Sequence, residues 1–181
     1  MAMQKTNRPT KAANADKPVA AGPDKRLTTP VGYLRAVRSY ISNDQAKPAY
    51  ALVQLAAVQY PDDPLILSYY GWLQALVDKK YRTGVEACTR ALVLLKQKTA
   101  IGADALYPEF YLNLGRACVA AGKKKDAIVA FKKGLRYDSS NGILQEELWG
   151  LGVRKSPPVP FLGRSHPINK YIGKITRKKS K

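Results

Sequence analysis

Several residue types on which metal and redox sites depend are scarce in this chain of 181 residues. There is one histidine, His166, and there are two cysteines, Cys88 and Cys118, which stand in no CxxC or Cys/His spacing. A metal site draws several such ligands together, and a disulfide framework needs more cysteines. We therefore predict no metal site and no disulfide scaffold, and we expect both cysteines to be buried as small apolar residues.

The motifs of common catalytic sites are also missing. The chain contains no GxGxxG, GxxxxGK[ST] or GxSxG segment, and His166 has no nearby acidic residue. The adjacent pairs Asp62-Asp63 and Glu146-Glu147 read as helix starts or solvated faces, because neighbouring residues on a helix do not face each other. We therefore predict that the chain is not an enzyme and that it uses no cofactor.

Long apolar runs are absent as well. No run reaches the roughly 20 residues that a membrane-spanning helix needs, and residues 1–24 lack the apolar centre of a secretory signal. We expect no membrane partner and a cytoplasmic location.

Acidic residues are few, and the excess of basic ones is uneven. The chain has 31 Lys and Arg against 13 Asp and Glu, which gives a formal net charge of +18. Residues 153–181 hold nine basic residues and no acidic one, and residues 1–29 hold six basic and two acidic ones. Basic ends of this kind predict solubility and possible non-specific attraction to nucleic acid, a weaker signal than a basic folded surface.

Composition divides the chain into three segments. Residues 1–28 are predicted to be a disordered, basic N-terminal segment because they lack periodic apolar residues. Residues 29–152 are rich in Ala, Leu and Val at helical spacing, and residues 153–181 form a Pro-rich, basic C-terminal tail. The fold is therefore expected in the middle segment.

Apolar residues in the middle segment recur at intervals of three and four, which predicts an all-α fold. Thr29-Pro30 is a helix start and Asn43-Asp44 is its end. Further helices are predicted over 46–59, from Pro64 to about Val77, from Arg82 to about Leu95, from Pro108 to about Gly122, over 124–137 and over 142–151. Short turns join these helices into pairs.

The pairs share an internal spacing, which is the strongest pattern in the sequence. A small residue of one helix stands twelve positions before a small residue of the next, as Val37 does before Ala49 and Gly115 before Ala127. A larger apolar residue follows four positions later, and the unit closes eight positions after that. These positions are Val53 and Pro61 in the first unit, and Phe131 and Ser139 in the third.

This pattern resembles the tetratricopeptide repeat, a helix–turn–helix of about 34 residues. The resemblance implies a right-handed α–α superhelix of three helix pairs, about 30–63, 64–98 and 108–141, with a capping helix over 142–152. The sequence departs from the family pattern at Val37, where glycine is usual, and at residues inserted between the second and third units. An ordinary helical bundle is the alternative.

The resemblance also implies a binding groove, since the first helix of each pair lines the concave side of such stacks. The implied lining residues are Leu34, Arg38, Ile41, Ser68, Tyr69, Trp72, Leu76, Leu112, Asn113 and Arg116. We expect Tyr69 and Trp72 to form an aromatic floor flanked by Arg38 and Arg116, although Trp72 could equally be a core residue. Such a groove would suit an extended or acidic peptide of a protein partner.

An alternative function is that of a basic accessory protein that binds RNA or DNA. It would use Lys79-Lys80, Lys123-Lys124-Lys125, Lys132-Lys133 and the basic C-terminal run to contact phosphates. Lysines in turns between helices are ordinary solvated residues, however, so the protein-binding scaffold is preferred.

Overall fold

The structure, a computed structural model, describes residues 28–98, 103–153 and Pro167. In these residues there are seven α-helices and no strand, and a short 3-10 turn, Ala103–Ala105, precedes the fifth helix. The helices are α1 Pro30–Ser42, α2 Ala46–Gln59, α3 Pro64–Val77, α4 Tyr81–Lys98, α5 Tyr107–Ala120, α6 Lys124–Tyr137 and α7 Gly142–Gly150. The prediction of an all-α fold is confirmed.

Local capping explains why the helices begin where they do. The Thr29 hydroxyl accepts a hydrogen bond from the Gly32 N–H at 3.1 Å, and the Asn141 side chain accepts one from the Leu144 N–H at 3.1 Å. Asp63 accepts two such bonds, each 2.9 Å long. These side chains satisfy backbone donors that the first helical turn leaves unpaired. The largest difference from the predicted ends is in α4, which continues past Leu95 to Lys98.

The helices pack as successive pairs in a row. α1 contacts α2, α3 contacts α4, and α5 contacts α6, while α2 meets α3 and α4 meets α5 between pairs. The first helices of the second and third pairs, α3 and α5, also contact each other, and α7 packs on α6. Each pair thus buries its apolar face against the next, which is the packing of a tetratricopeptide-like α–α stack.

Glycines allow close approach within the second pair. A Cβ atom on Gly71 of α3 would lie 2.6 Å from the Gly84 carbonyl oxygen and 2.9 Å from the Cys88 backbone nitrogen of α4. In the third pair, the Phe131 ring lies against Gly115 and occupies the place of a Cβ. Small residues therefore let the paired helices approach closely at both positions.

The apolar interior consists of three clusters that share the partly buried residues Leu65, Val85 and Leu114, and α7 closes one of them. Leu144 and Leu148 of α7 are buried against Ala127 and Phe131 of α6. Both cysteines are free and buried, as predicted. The predicted N-terminal segment up to Arg26-Leu27 and the tail beyond Val153, Pro167 apart, lie outside the described residues. None of the described helices is long and apolar enough to cross a membrane.

Substitution of Gly71 tests the close approach of α3 and α4. Gly71→Ala is expected to lower the free energy of unfolding by about 1–3 kcal/mol, because the added methyl group meets backbone atoms that cannot move aside. Urea unfolding followed by circular dichroism measures the change. Gly142→Ala is the matched control, since no atom lies within 4 Å of its Cβ position. An equal loss of stability in both variants would contradict the packing argument.

Candidate functional site

A cavity of about 880 Å³ opens on one side of the stack, and we call it the main cavity. Its lining comes from the first helix of each pair, the 3-10 turn before α5, the end of α6, the turn that follows it and the first half of α7, with no residue of α2 or α4. The lining residues are Arg38, Ile41, Ser42, Tyr69, Trp72, Ala105, Pro108, Glu109, Leu112, Arg116, Tyr137, Asp138, Asn141, Ile143 and Glu146. Its volume is at the upper end of the range for ligand sites, and its open side suits a chain segment.

Two aromatic side chains of α3 form the floor of the main cavity. The ring centroids of Tyr69 and Trp72 are 6.2 Å apart, with the planes tilted by 50°. The Arg116 guanidinium lies 4.7 Å from the centroid of the Trp72 ring, within range of a cation–π interaction. Trp72 is only 7% exposed, so it serves both as a core residue and as part of the floor.

Arg38 is held by an ion pair that joins α1 to α5. Its Nη2 atom donates to both carboxylate oxygens of Glu109, at 2.7 and 2.8 Å, and its Nε donates to Oε1 at 2.9 Å. The Tyr69 hydroxyl also donates a short hydrogen bond to Glu109 and accepts one of 3.1 Å from Arg38 Nε. The guanidinium therefore already has a carboxylate partner within the fold.

Arg116 is also paired with a carboxylate, through a single hydrogen bond. Its Nε donates to the Glu147 carboxylate of α7 at 2.6 Å, and both side chains are about three-quarters buried. Because Arg116 also stacks on Trp72, this contact connects the floor of the cavity to the capping helix.

Two further carboxylates line the cavity without a described cation partner. Asp138 accepts hydrogen bonds from the Ser140 hydroxyl at 2.7 Å and from its N–H at 3.1 Å, and the hydroxyl bond above all holds the pKa of Asp138 below its usual range. Glu146 is exposed on α7. The lining thus holds two arginines and three carboxylates, and Glu147 adds a fourth beside it.

The structure brings six of the ten predicted groove residues together in the main cavity: Arg38, Ile41, Tyr69, Trp72, Leu112 and Arg116. Leu76, 45% exposed, lies at a small adjoining cavity that Ile41 and Trp72 also line. The other three, Leu34, Ser68 and Asn113, are buried in the core. Asn113 donates to the Ser68 hydroxyl at 3.2 Å between α3 and α5, so these two side chains join neighbouring helices and do not line the cavity.

Some lining residues were not predicted from the sequence. Glu109 stands three residues before Leu112 and seven before Arg116, so helical spacing alone places it on the same face of α5. Ile143 and Glu146 are three residues apart on α7, which the sequence predicted only as a capping helix. In the described residues no group of three or more His, Cys, Asp or Glu side chains could hold a metal ion.

A double-mutant cycle tests the link between Arg38 and Glu109. We expect Arg38→Met and Glu109→Gln to show a coupling free energy of about 1 kcal/mol in urea unfolding, since Arg38 is half exposed and solvent screens the pair. The coupling should shrink in high salt. Arg82 and Glu86, an exposed pair 3.6 Å apart within α4, provide the control cycle, which should show less coupling. Equal coupling in both cycles would contradict the conclusion that the Arg38–Glu109 ion pair joins α1 to α5 more strongly than an ordinary surface pair would.

The pH dependence of stability tests the burial of Tyr69. Burial first, and then the charge of Glu109, raise the pKa of the Tyr69 hydroxyl. A raised folded-state pKa favours the neutral phenol, so its contribution is complete below the ordinary tyrosine pKa of about 10 and is lost as the pH rises through the raised value. Above pH ~10 the unfolding free energy of the wild type should therefore fall more steeply than that of Tyr69→Phe. Parallel curves from urea unfolding would contradict this assignment.

No protein-family model and no curated protein matches the chain. Among solved structures, the first TPR of Spaghetti (RPAP3), bound to the HSP90 peptide SRMEEVD, is 16% identical, with a TM-score of 0.49 over 71% of this chain and 91% of that one. The Sgt2 TPR domain from Aspergillus fumigatus is also 16% identical, with a TM-score of 0.49 over 82% of this chain and 99% of that one. The tetratricopeptide-like fold of this chain is read from its own packing, in which three helix pairs stack in sequence order, a seventh helix covers the end, and the first helices line one cavity.

Proposed function

We propose that this chain is a non-catalytic scaffold that binds an extended peptide segment of another protein in the main cavity. The observation that supports this proposal is the composition of the lining: one aromatic floor, two arginines and several aliphatic side chains converge from α1, α3, α5 and α7 onto one open cavity. Trp, Tyr and Arg dominate the energetics of binding surfaces, and their contribution is largest where neighbouring groups exclude water.

The side chains of the aromatic floor are preorganised for binding. Tyr69 is fixed by its hydrogen bonds to Glu109 and Arg38, and Trp72 is fixed by packing and by the Arg116 guanidinium. A peptide that binds such a floor loses its own conformational freedom but orders few protein side chains, which reduces the cost of binding. An extended segment could contact several helices at once along the cavity.

The charges around the floor favour a basic segment over the acidic one expected from the sequence. An acidic segment would meet two arginines whose charges Glu109 and Glu147 already offset, and the lining carboxylates Asp138 and Glu146 would repel it. A Lys or Arg side chain would instead meet Glu146 and Asp138, for which the described residues supply no cation. We therefore propose a partner segment with apolar and basic residues.

The lysines of the nucleic-acid alternative lie elsewhere. Lys79 and Lys80 are in the turn between α3 and α4, and Lys123 is in the turn between α5 and α6. No lysine lines the main cavity. The cavity therefore lacks the row of cations that would follow a phosphate backbone.

Selection from a library of short random peptides displayed on phage tests the proposed function. We expect the full chain to enrich peptides with apolar and basic residues. Binding of an enriched peptide should weaken about fivefold or more in Ile143→Ser and in Glu146→Lys, because both substitutions change exposed residues of the cavity. Fluorescence anisotropy with the labelled peptide measures the affinities.

Two matched controls separate the cavity from the rest of the surface. Val129→Ser and Glu86→Lys alter equally exposed residues of α6 and α4 outside the cavity and should leave the affinity unchanged. No enriched peptide, or equal losses in cavity and control variants, would overturn the proposal. Tight binding of a single-stranded RNA that Glu146→Lys does not weaken, together with failure of the peptide selection, would instead support nucleic-acid binding.

A further inference from the structure

We propose that the chain carries a ligand for its own cavity, namely the basic segment 154–181, which docks in the main cavity and must be displaced by a partner. This inference rests on the proposed function, since it uses the same cavity and the same binding chemistry. It differs in naming an occupant that is covalently attached.

Charge complementarity is the first argument. Residues 154–181 contain nine Lys and Arg and no Asp or Glu, whereas the cavity lining holds three carboxylates and two arginines that are already paired. Glu146 and Asp138 are therefore available to cations that come from outside the described helices. Opposite charges at such short range raise both the rate and the selectivity of docking.

Apolar complementarity is the second argument. Between its basic residues the segment carries seven aromatic or aliphatic residues that the aromatic and aliphatic lining could cover: Val159, Phe161, Leu162, Ile168, Tyr171, Ile172 and Ile175. The cavity offers them the Trp72 ring and the aliphatic side chains of Ile41, Leu112 and Ile143. A basic segment without apolar residues would not fit a floor of this kind.

The exit point of the segment is the third argument. At the end of α7, Gly152 adopts a left-handed conformation with φ +79°, and the Val153 N–H donates to the Leu148 carbonyl at 2.9 Å. This is a Schellman cap, and it fixes Val153 against the apolar cluster that contains Leu148. The last described residue before the segment is thus fixed at the end of α7, the helix that also carries the lining residues Ile143 and Glu146.

The length of the segment is sufficient for docking. Its 28 residues could span up to about 90 Å if fully extended, so it can cross the cavity from α7 to α1. Because it is attached, it meets the cavity at an effective concentration on the order of millimolar, which makes even a weak contact populated. The N-terminal segment 1–27 is a poorer occupant, since it contains Asp16 and Asp24 and fewer basic residues.

Paramagnetic relaxation in the full-length protein tests the docking. A nitroxide is attached to Ser165→Cys, while Cys88 and Cys118, which are buried, remain unlabelled. We expect strong broadening of the Trp72 indole N–H signal, and weak broadening when the nitroxide is on Thr10→Cys. The parent protein treated with the same reagent shows whether the native cysteines react.

A charge reversal identifies the contact. In the Ser165→Cys background, Glu146→Lys should lower the ratio of docked to undocked protein about fivefold, whereas the exposed Glu86→Lys should leave it unchanged. High salt should act like Glu146→Lys because it screens the same attraction.

Other outcomes would overturn the proposal. Absence of broadening at Trp72, equal effects of Glu146→Lys and Glu86→Lys, or stronger broadening from Thr10→Cys would each do so. Broadening that appears only when nitroxide-labelled protein is mixed with a second, isotope-labelled copy would assign the docking to another chain and would equally refute it. If selected peptides bind the cavity while the Ser165→Cys label leaves Trp72 unaffected, the proposed function stands and this inference fails.

Discussion

The close contact of α3 and α4 at Gly71 and Gly84 is the constraint on which the rest of the stack depends. Because backbone atoms of the two helices are in contact there, the distance between the helix axes is fixed. α3 is also the helix that contacts α2 on one side and α5 on the other. Its position therefore fixes where Tyr69 and Trp72 present their rings, and with them the floor of the main cavity.

The same helix joins the core to the binding surface. Ser68 lies in the core and is hydrogen-bonded to Asn113 of α5. The next residue, Tyr69, lines the cavity and is hydrogen-bonded to Glu109, which is also on α5. A change in the spacing of α3 and α5 would disturb both contacts together. Stability and the shape of the cavity are therefore coupled through α3 and α5.

The ion pairs give the cavity a different character from that of an open cationic groove. Arg38 and Arg116 connect separate helices through Glu109 and Glu147, and each also lies beside an aromatic ring, Arg38 at 5.8 Å from the Tyr69 centroid and Arg116 at 4.7 Å from that of Trp72. The two arginines hold the aromatic floor in place. The lining carboxylates without a described cation partner are Asp138 and Glu146. The strongly basic ends of the chain then become candidates for intramolecular attraction as well as for attraction to other polyanions.

The sequence by itself determined the helices, their caps and their order, because capping residues such as Asp63 and apolar spacing act over a few positions. The resemblance to the tetratricopeptide repeat also predicted that Tyr69, Trp72, Arg38 and Arg116 lie near one surface. Only the tertiary structure decided that Glu109 and Glu147 neutralise these arginines. The partners are 71 and 31 residues apart in the chain, and no local pattern records which helix faces approach each other at that distance.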